Sequence, residues 1–198
     1  MMVRHLLPAL VLLTIAALGV TATATTVRLA SIPQLGQRAS LIIEGTVIDR
    51  QAVFVGVGPG VFTDHRVKLH TPYKGQSGEV ITVRVPGGKT AQREVQIEGM
   101  PQLEPNTHVL LFLEELPSKA FPDGGVYHLP VGLEQGHRVV DESGQQAVWK
   151  RSGMSEGMVS TQPWCDGGEW VAEFDAQQMR TWLKQTFVDK AKAQEDAR

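Results

Sequence analysis

Histidine, cysteine, serine and carboxylate side chains are the groups in this chain able to bind metal, move protons or attack a carbonyl, and their spacing limits that chemistry. His65, His70, His108, His128 and His137 do not cluster in the sequence, and none stands at a metal-ligand spacing such as H-E-x-x-H. His65 and His70 are an odd number of residues apart, so a regular strand turns them to opposite faces. Folding of the sheet can still bring His65 near another histidine. Asp64 and His65 form a fragment of a triad, without a serine in a G-x-S-x-G elbow; Ser155 and Ser160 lie in a stretch that reads as linker. Glu44, Glu114 and Glu115 are candidates for an acid–base pair, but carboxylates at strand ends are ordinarily solvated.

Cys165 is the one cysteine, which excludes an internal disulfide. Its flanks, PWCDG over 163–167, read as a turn. That leaves a half-buried thiol without a role, an intermolecular disulfide, or a thiol nucleophile for which no base is visibly placed. Gly87 and Gly88 are not followed by a helix pattern, and although Gly88, Lys89 and Thr90 read Gly-Lys-Thr, the full G-x-x-x-x-G-K-[ST] signature of a phosphate loop is absent, with Val83 where its first glycine would stand. No catalytic, cofactor-binding or metal-ligating set emerges. The expectation is therefore a protein that is not an enzyme and carries no cofactor.

The elements that would position these residues are strands. Residues 39–50, ASLIIEGTVIDR, read as the first, with Gly45 marking a bulge or sharp coil inside it. Such a strand suits a small barrel, in which it bends to serve two sheets. It continues toward Val57, and Gly58, Pro59 and Gly60 make a hairpin loop. Residues 61–73 alternate: Val61, Thr63, His65, Val67, Leu69 and Thr71 share one face, and Phe62, Asp64, Arg66, Lys68 and His70 the other. Residues 79–85 form a third strand with Ile81, Val83 and Val85 together. Residues 92–98 predict a fourth, with Val95 and Ile97 inward. Residues 109–113, VLLFL, are a strand buried on both faces. A sixth spans 126–133, and 136–140 with 146–150 make a hairpin. Ser31 and Pro33 signal a short helix. Asp175 caps a helix over 174–192, whose Met179, Trp182, Leu183 and Phe187 make an apolar stripe that packs on the barrel.

Length and composition frame these elements. The chain has 198 residues and a formal net charge of −2, with no basic run before its last residues, so it lacks the electrostatic footprint of a nucleic-acid binder. Arg4 and His5, an apolar stretch from Leu6 to Val20, and the small residues Ala22, Thr23 and Ala24 have the layout of a secretory signal peptide. The domains expected are a signal peptide over 1–24, a β domain over 25–150, a mobile linker over 151–173 and the helix over 174–192. The product is expected to be exported, periplasmic or extracellular, and to meet the membrane only transiently through its signal peptide.

The run from Ala39 to Val47, Phe62 to Asp64 opening a strand that ends at Tyr73 to Gly75, VITVRVPGG over 80–88, and VLLFL over 109–113 resemble uncharacterised bacterial secreted proteins. Those in turn are similar to the OB-fold barrels of netrin-like domains and tissue inhibitors of metalloproteinases. The resemblance covers about residues 39–113 and rests on hydrophobic pattern and a few glycines. It implies a mainly β fold: a small OB-like antiparallel barrel with an added C-terminal hairpin and one C-terminal amphipathic helix. The inhibitors place an N-terminal cysteine on the protease zinc. Here the mature end is Thr25 and the only cysteine is Cys165, so that wedge does not carry over.

The function expected is a non-enzymatic binding or interaction module for an unknown protein or small ligand, with residues 51–60 and 89–93 as its exposed loops. The rivals are a protease inhibitor that uses a loop, and a hydrolase whose site is assembled from distant residues.

Overall fold

The computed structural model describes residues 30–141, 148–151 and 173–196. The expected signal peptide, the expected linker over 151–173 apart from its two ends, Ser155, Ser160 and Cys165 lie outside the described residues.

Five strands close into a ring. They are β1 (Leu41–Phe54), β2 (Val61–Lys74), β3 (Val80–Pro86), β6 (His108–Leu116) and β7 (Tyr127–Pro130), in the spatial order β1-β2-β3-β7-β6 with β6 returning to β1. Every join is antiparallel except β3 with β7, which run parallel at Val83 and His128. This is an OB-like barrel. A tiny second sheet, β4 (Gly88–Lys89) with β5 (Glu94–Val95), branches from the end of β3. The added hairpin is β8 (His137–Asp141) with β9 (Val148–Arg151); β8 pairs with the first half of β6, and β10 (Glu173–Asp175) pairs with β9.

The alternating patterns set the faces. From β6, Val109, Leu111 and Leu113 point into the barrel with Ile43, Val47, Val67, Ile81, Val83 and Val85. Leu110 and Phe112 point outward, into a second core beneath the helices with Ile42 and Tyr73. The strand is buried on both faces because it separates two cores. Helix α1 (Ile32–Arg38) starts with a capping box, the Ser31 hydroxyl accepting from the Gln34 N–H while the Gln34 side chain accepts from the Ser31 N–H. Helix α2 spans residues 176–196: Ala176–Leu183, a wider π-helical stretch Lys184–Asp189, and Lys190–Asp196. Its Met179 and Leu183 are buried with Ile32 and Leu35 of α1, and Trp182 and Phe187 pack against them.

Gly45 explains how β1 serves both sides of the ring. The register against β2 slips between Glu44 and Gly45, and again between Val47 and Asp49. A Cβ on Gly45 would stand 2.5 Å from the Lys68 carbonyl oxygen. Only glycine lets the two backbones approach so closely.

Three expected elements differ. The strand over 92–98 shrinks to Glu94–Val95, because the Thr90 N–H and the Arg93 carbonyl close a tight turn and the chain then leaves the sheet to enter the barrel mouth. The strand over 126–133 ends at Pro130, where Gly132 takes a left-handed conformation and a 3-10 turn, Leu133–Gly136, follows. The C-terminal helix starts at Ala176, not Phe174, since residues 173–175 pair with β9 first. Asp175 caps it as the sequence predicts, accepting from the Gln178 N–H at 2.7 Å.

Candidate functional site

The two loops picked from the sequence meet. β1 and β2 extend beyond the barrel body as a ribbon whose turn, residues 55–60, is closed by a Val55 N–H to Gly60 carbonyl bond of 2.8 Å. Gly56, Gly58 and Gly60 all have positive φ there, a backbone only glycine takes without strain. The Lys89–Arg93 turn lies against this tip: the Gly87 N–H bonds the Val61 carbonyl at 2.9 Å. Phe54 and Arg93 converge on Gly60, each within 3.4 Å of where its Cβ would be. Phe54 is 62% exposed and Val57 37%. This end of the barrel is therefore a pole with an aromatic side chain, an aliphatic one and a guanidinium at its tip.

Inside the pole, residues 97–107 fill the barrel mouth. Leu103 is fully buried in the interior core and Met100 packs on it. The segment is tied by Asn106 N–H to Val47 O at 2.7 Å, Val47 N–H to Thr107 O at 3.0 Å, Glu134 N–H to Gly99 O at 3.0 Å, and the Arg50–Glu104 ion pair at 2.6 Å. His65 reaches it from β2, its ring hydrogen-bonding the Leu103 backbone. His137, at the start of β8, is wholly buried, and its charge would be felt at His65. Burial lowers His65 to about 4, with Arg50 adding to the shift, and lowers His137 to about 3, helped by Arg138. Both rings are neutral at pH 7. Their burial therefore stabilises the fold fully above pH 6.5, and the contribution fades as pH falls from there toward 3–4.

A polar hub lies on the outer face of β1. Glu44 is buried under α2. Arg180 donates to its carboxylate through Nη2 at 2.6 Å and Nε at 3.1 Å, and Tyr73 through its hydroxyl at 2.7 Å. His108 Nε2 stands 2.9 Å from Oε1. Burial alone would raise the Glu44 carboxyl; the His108, Arg180 and Tyr73 hydrogen bonds outweigh it and hold the group at about 2. Beside the hub the His70 and His108 rings meet edge to face, centroids 5.2 Å apart, and His70 Nε2 is 3.3 Å from Thr46 Oγ1.

The structure thus groups histidines that the sequence leaves scattered: His70 with His108, and His65 with His137. Glu44 is not a solvated strand-end carboxylate; it sits mid-strand, where the helix covers it. Its partner Arg180 lies 136 residues away, and the only signal in the sequence is a lone acid inside the apolar run LIIEG. Glu114 and Glu115 do not join it; they pair across β7 with Leu129 and His128. Asp64 does not serve His65. It gives both oxygens to Arg84 at 2.7 Å. Arg84 is itself covered by the Tyr127 ring, 3.4 Å from its guanidinium carbon, and by Phe121 at 4.8 Å. Lysine has neither the fork nor the flat face. Arg84→Lys is expected to cost about 2 kcal/mol in a urea melt with barrel topology unchanged.

Among the described residues no three histidine, cysteine or carboxylate groups are placed to hold a metal ion, and no helix is long and apolar enough to cross a membrane. No family profile, no curated protein and no solved structure matches the chain.

Proposed function

We propose that the chain is an exported, non-enzymatic binding module that takes its partner at the pole. The observation that carries this is the meeting of the 51–60 and 89–93 loops around Gly60, with Phe54 exposed at the tip. A large aromatic side chain held on a tight hairpin and left in water does nothing for the core, and it has the character of a binding anchor. OB-like barrels recognise ligands through a barrel face and its flanking loops. The export reading rests on the signal-peptide pattern of residues 1–24.

The test uses residues 25–198 as bait for envelope and culture-supernatant extracts. Phe54→Ala with Val57→Ser is expected to leave stability within about 0.5 kcal/mol, since neither side chain belongs to either core. The same variant is expected to lower retention of the partner at least tenfold. Retention equal to wild type would remove the pole from the reading. A protease among the retained proteins would identify the loop-inhibitor function, which uses the same hairpin.

A further inference from the structure

The connection from β3 to β6 carries two things in one stretch of chain. Its first part is the Lys89–Arg93 turn at the pole, and its second is the segment over 97–107 that fills the barrel mouth. The second part has no helix or strand of its own. Its fastenings are Leu103 in the core with Met100 packed on it, three backbone hydrogen bonds, the exposed Arg50–Glu104 pair and the His65 ring. So few tethers place it at the low-stability end of a fold whose core strands are fully paired.

Two buried histidines near it are ill suited to positive charge. His65 Nδ1 and both ring nitrogens of His137 are buried without hydrogen-bond partners. The charges facing His65 are Arg50 from β1, its own neighbour Asp64, and Glu104 from the segment; those facing His137 are Arg138 and His65 itself. Asp64 is committed to Arg84, and Glu104 to Arg50. Arg138 gives its Nη1 to the Gln135 and His137 carbonyls. A proton on either imidazole therefore enters a dry site that already holds two arginines nearby and whose acids are engaged elsewhere.

We infer that His65 and His137 form an acid-sensitive latch: acidification releases the 97–107 segment from the barrel mouth and, through the same connection, displaces the Lys89–Arg93 turn from the pole. The barrel itself stays closed, because β6 is held by β1, β7 and β8 and not by the segment. The consequence for binding rests on the pole being the binding surface; the release of the segment does not.

The size of the effect follows from linkage. A histidine with an ordinary pKa of about 6.5 when released, and one near 4 or below when latched, raises the released population about 30-fold between pH 7.5 and 5. Two rings released together multiply that factor.

Hydrogen exchange of residues 25–198 at pH 7.5 and pH 5.0, corrected for intrinsic rates, reads this directly. Protection over 97–107 is expected to fall 30-fold or more while amides 109–113 keep theirs. His65→Gln retains an N–H for the Leu103 carbonyl but does not titrate, and is expected to remove about 30-fold of the pH response. Arg50→Met is expected to lower protection at both pH values and to narrow their ratio slightly, since Arg50 adds to the depression of His65. A fall below tenfold over 97–107, or parallel loss at 109–113, would overturn the latch; the second result makes the pair a determinant of global stability only. Should His65→Gln fail to fold, the wild-type comparison of the two segments still decides. If the segment opens at pH 5 while capture of the partner is the same at both pH values, the latch stands and the pole reading fails.

Discussion

Gly45→Val is expected to be the most damaging single substitution in the barrel, costing roughly 3 kcal/mol or more. The position lies where β1 leaves one pairing and takes another. It is opposite Leu69 on β2 and Val109 on β6, with the register slipping just before it. A Cβ there would be 2.5 Å from the Lys68 carbonyl oxygen and 3.0 Å from a Val67 methyl. The first of these is backbone, held by the β1–β2 ladder, and cannot rotate aside as a side-chain end would. Accommodation requires the ribbon to separate on a strand that holds the ring closed. Alanine meets the same oxygen and should cost nearly as much as valine, which distinguishes a backbone clash from loss of room for a large side chain. Denaturant melts of both variants check this. An alanine variant within about 0.5 kcal/mol of wild type would show that β1 relaxes around the new atom and that glycine is not required there.

Gly45 also shows what was legible in the sequence. A glycine inside an apolar run is a local signal of a bulge, and β1 bends there. The two-sided burial of VLLFL and the faces of β2 were equally local, because period 2 and continuous apolarity are read within a few residues. The cap at Asp175 was legible for the same reason. Residues 92–98 were misread because their alternation does satisfy a strand pattern; what decides their fate is the barrel mouth, which needs Leu103 and so pulls the chain out of the sheet. The polar hub was illegible. Glu44, Tyr73, His108 and Arg180 come from β1, β2, β6 and α2, and nothing in the spacing of four such distant residues announces a shared carboxylate. The pole was half legible: both loops were named, but not that they touch.

Arg180→Met should cost about 3 kcal/mol at pH 7, because it removes the principal cation from a carboxylate that remains buried. Methionine keeps most of the aliphatic contact, so the loss is one of charge and hydrogen bonds. Tyr73 and His108 still face Glu44 but cannot replace two guanidinium nitrogens. The pH dependence identifies the mechanism. In the wild type the Glu44 carboxyl titrates at about 2 when folded, against an ordinary 4.5. Its pairing therefore stabilises the fold fully above pH 4.5, and the contribution is lost as pH falls toward 2. Without Arg180 the folded carboxyl titrates higher, the gap to the unfolded state narrows, and the variant has less to lose in acid. The stability difference between the two proteins should be constant above pH 5 and shrink steadily below 4.5. A simple packing defect would give a difference independent of pH. Glu44→Gln tests the same pair from the other side: its amide oxygen still accepts from Tyr73 and Arg180, so the double variant should be less destabilised than the sum of the singles. Additive losses would mean that the two side chains act separately and that α2 is held on the barrel by its apolar stripe of Met179, Trp182, Leu183 and Phe187.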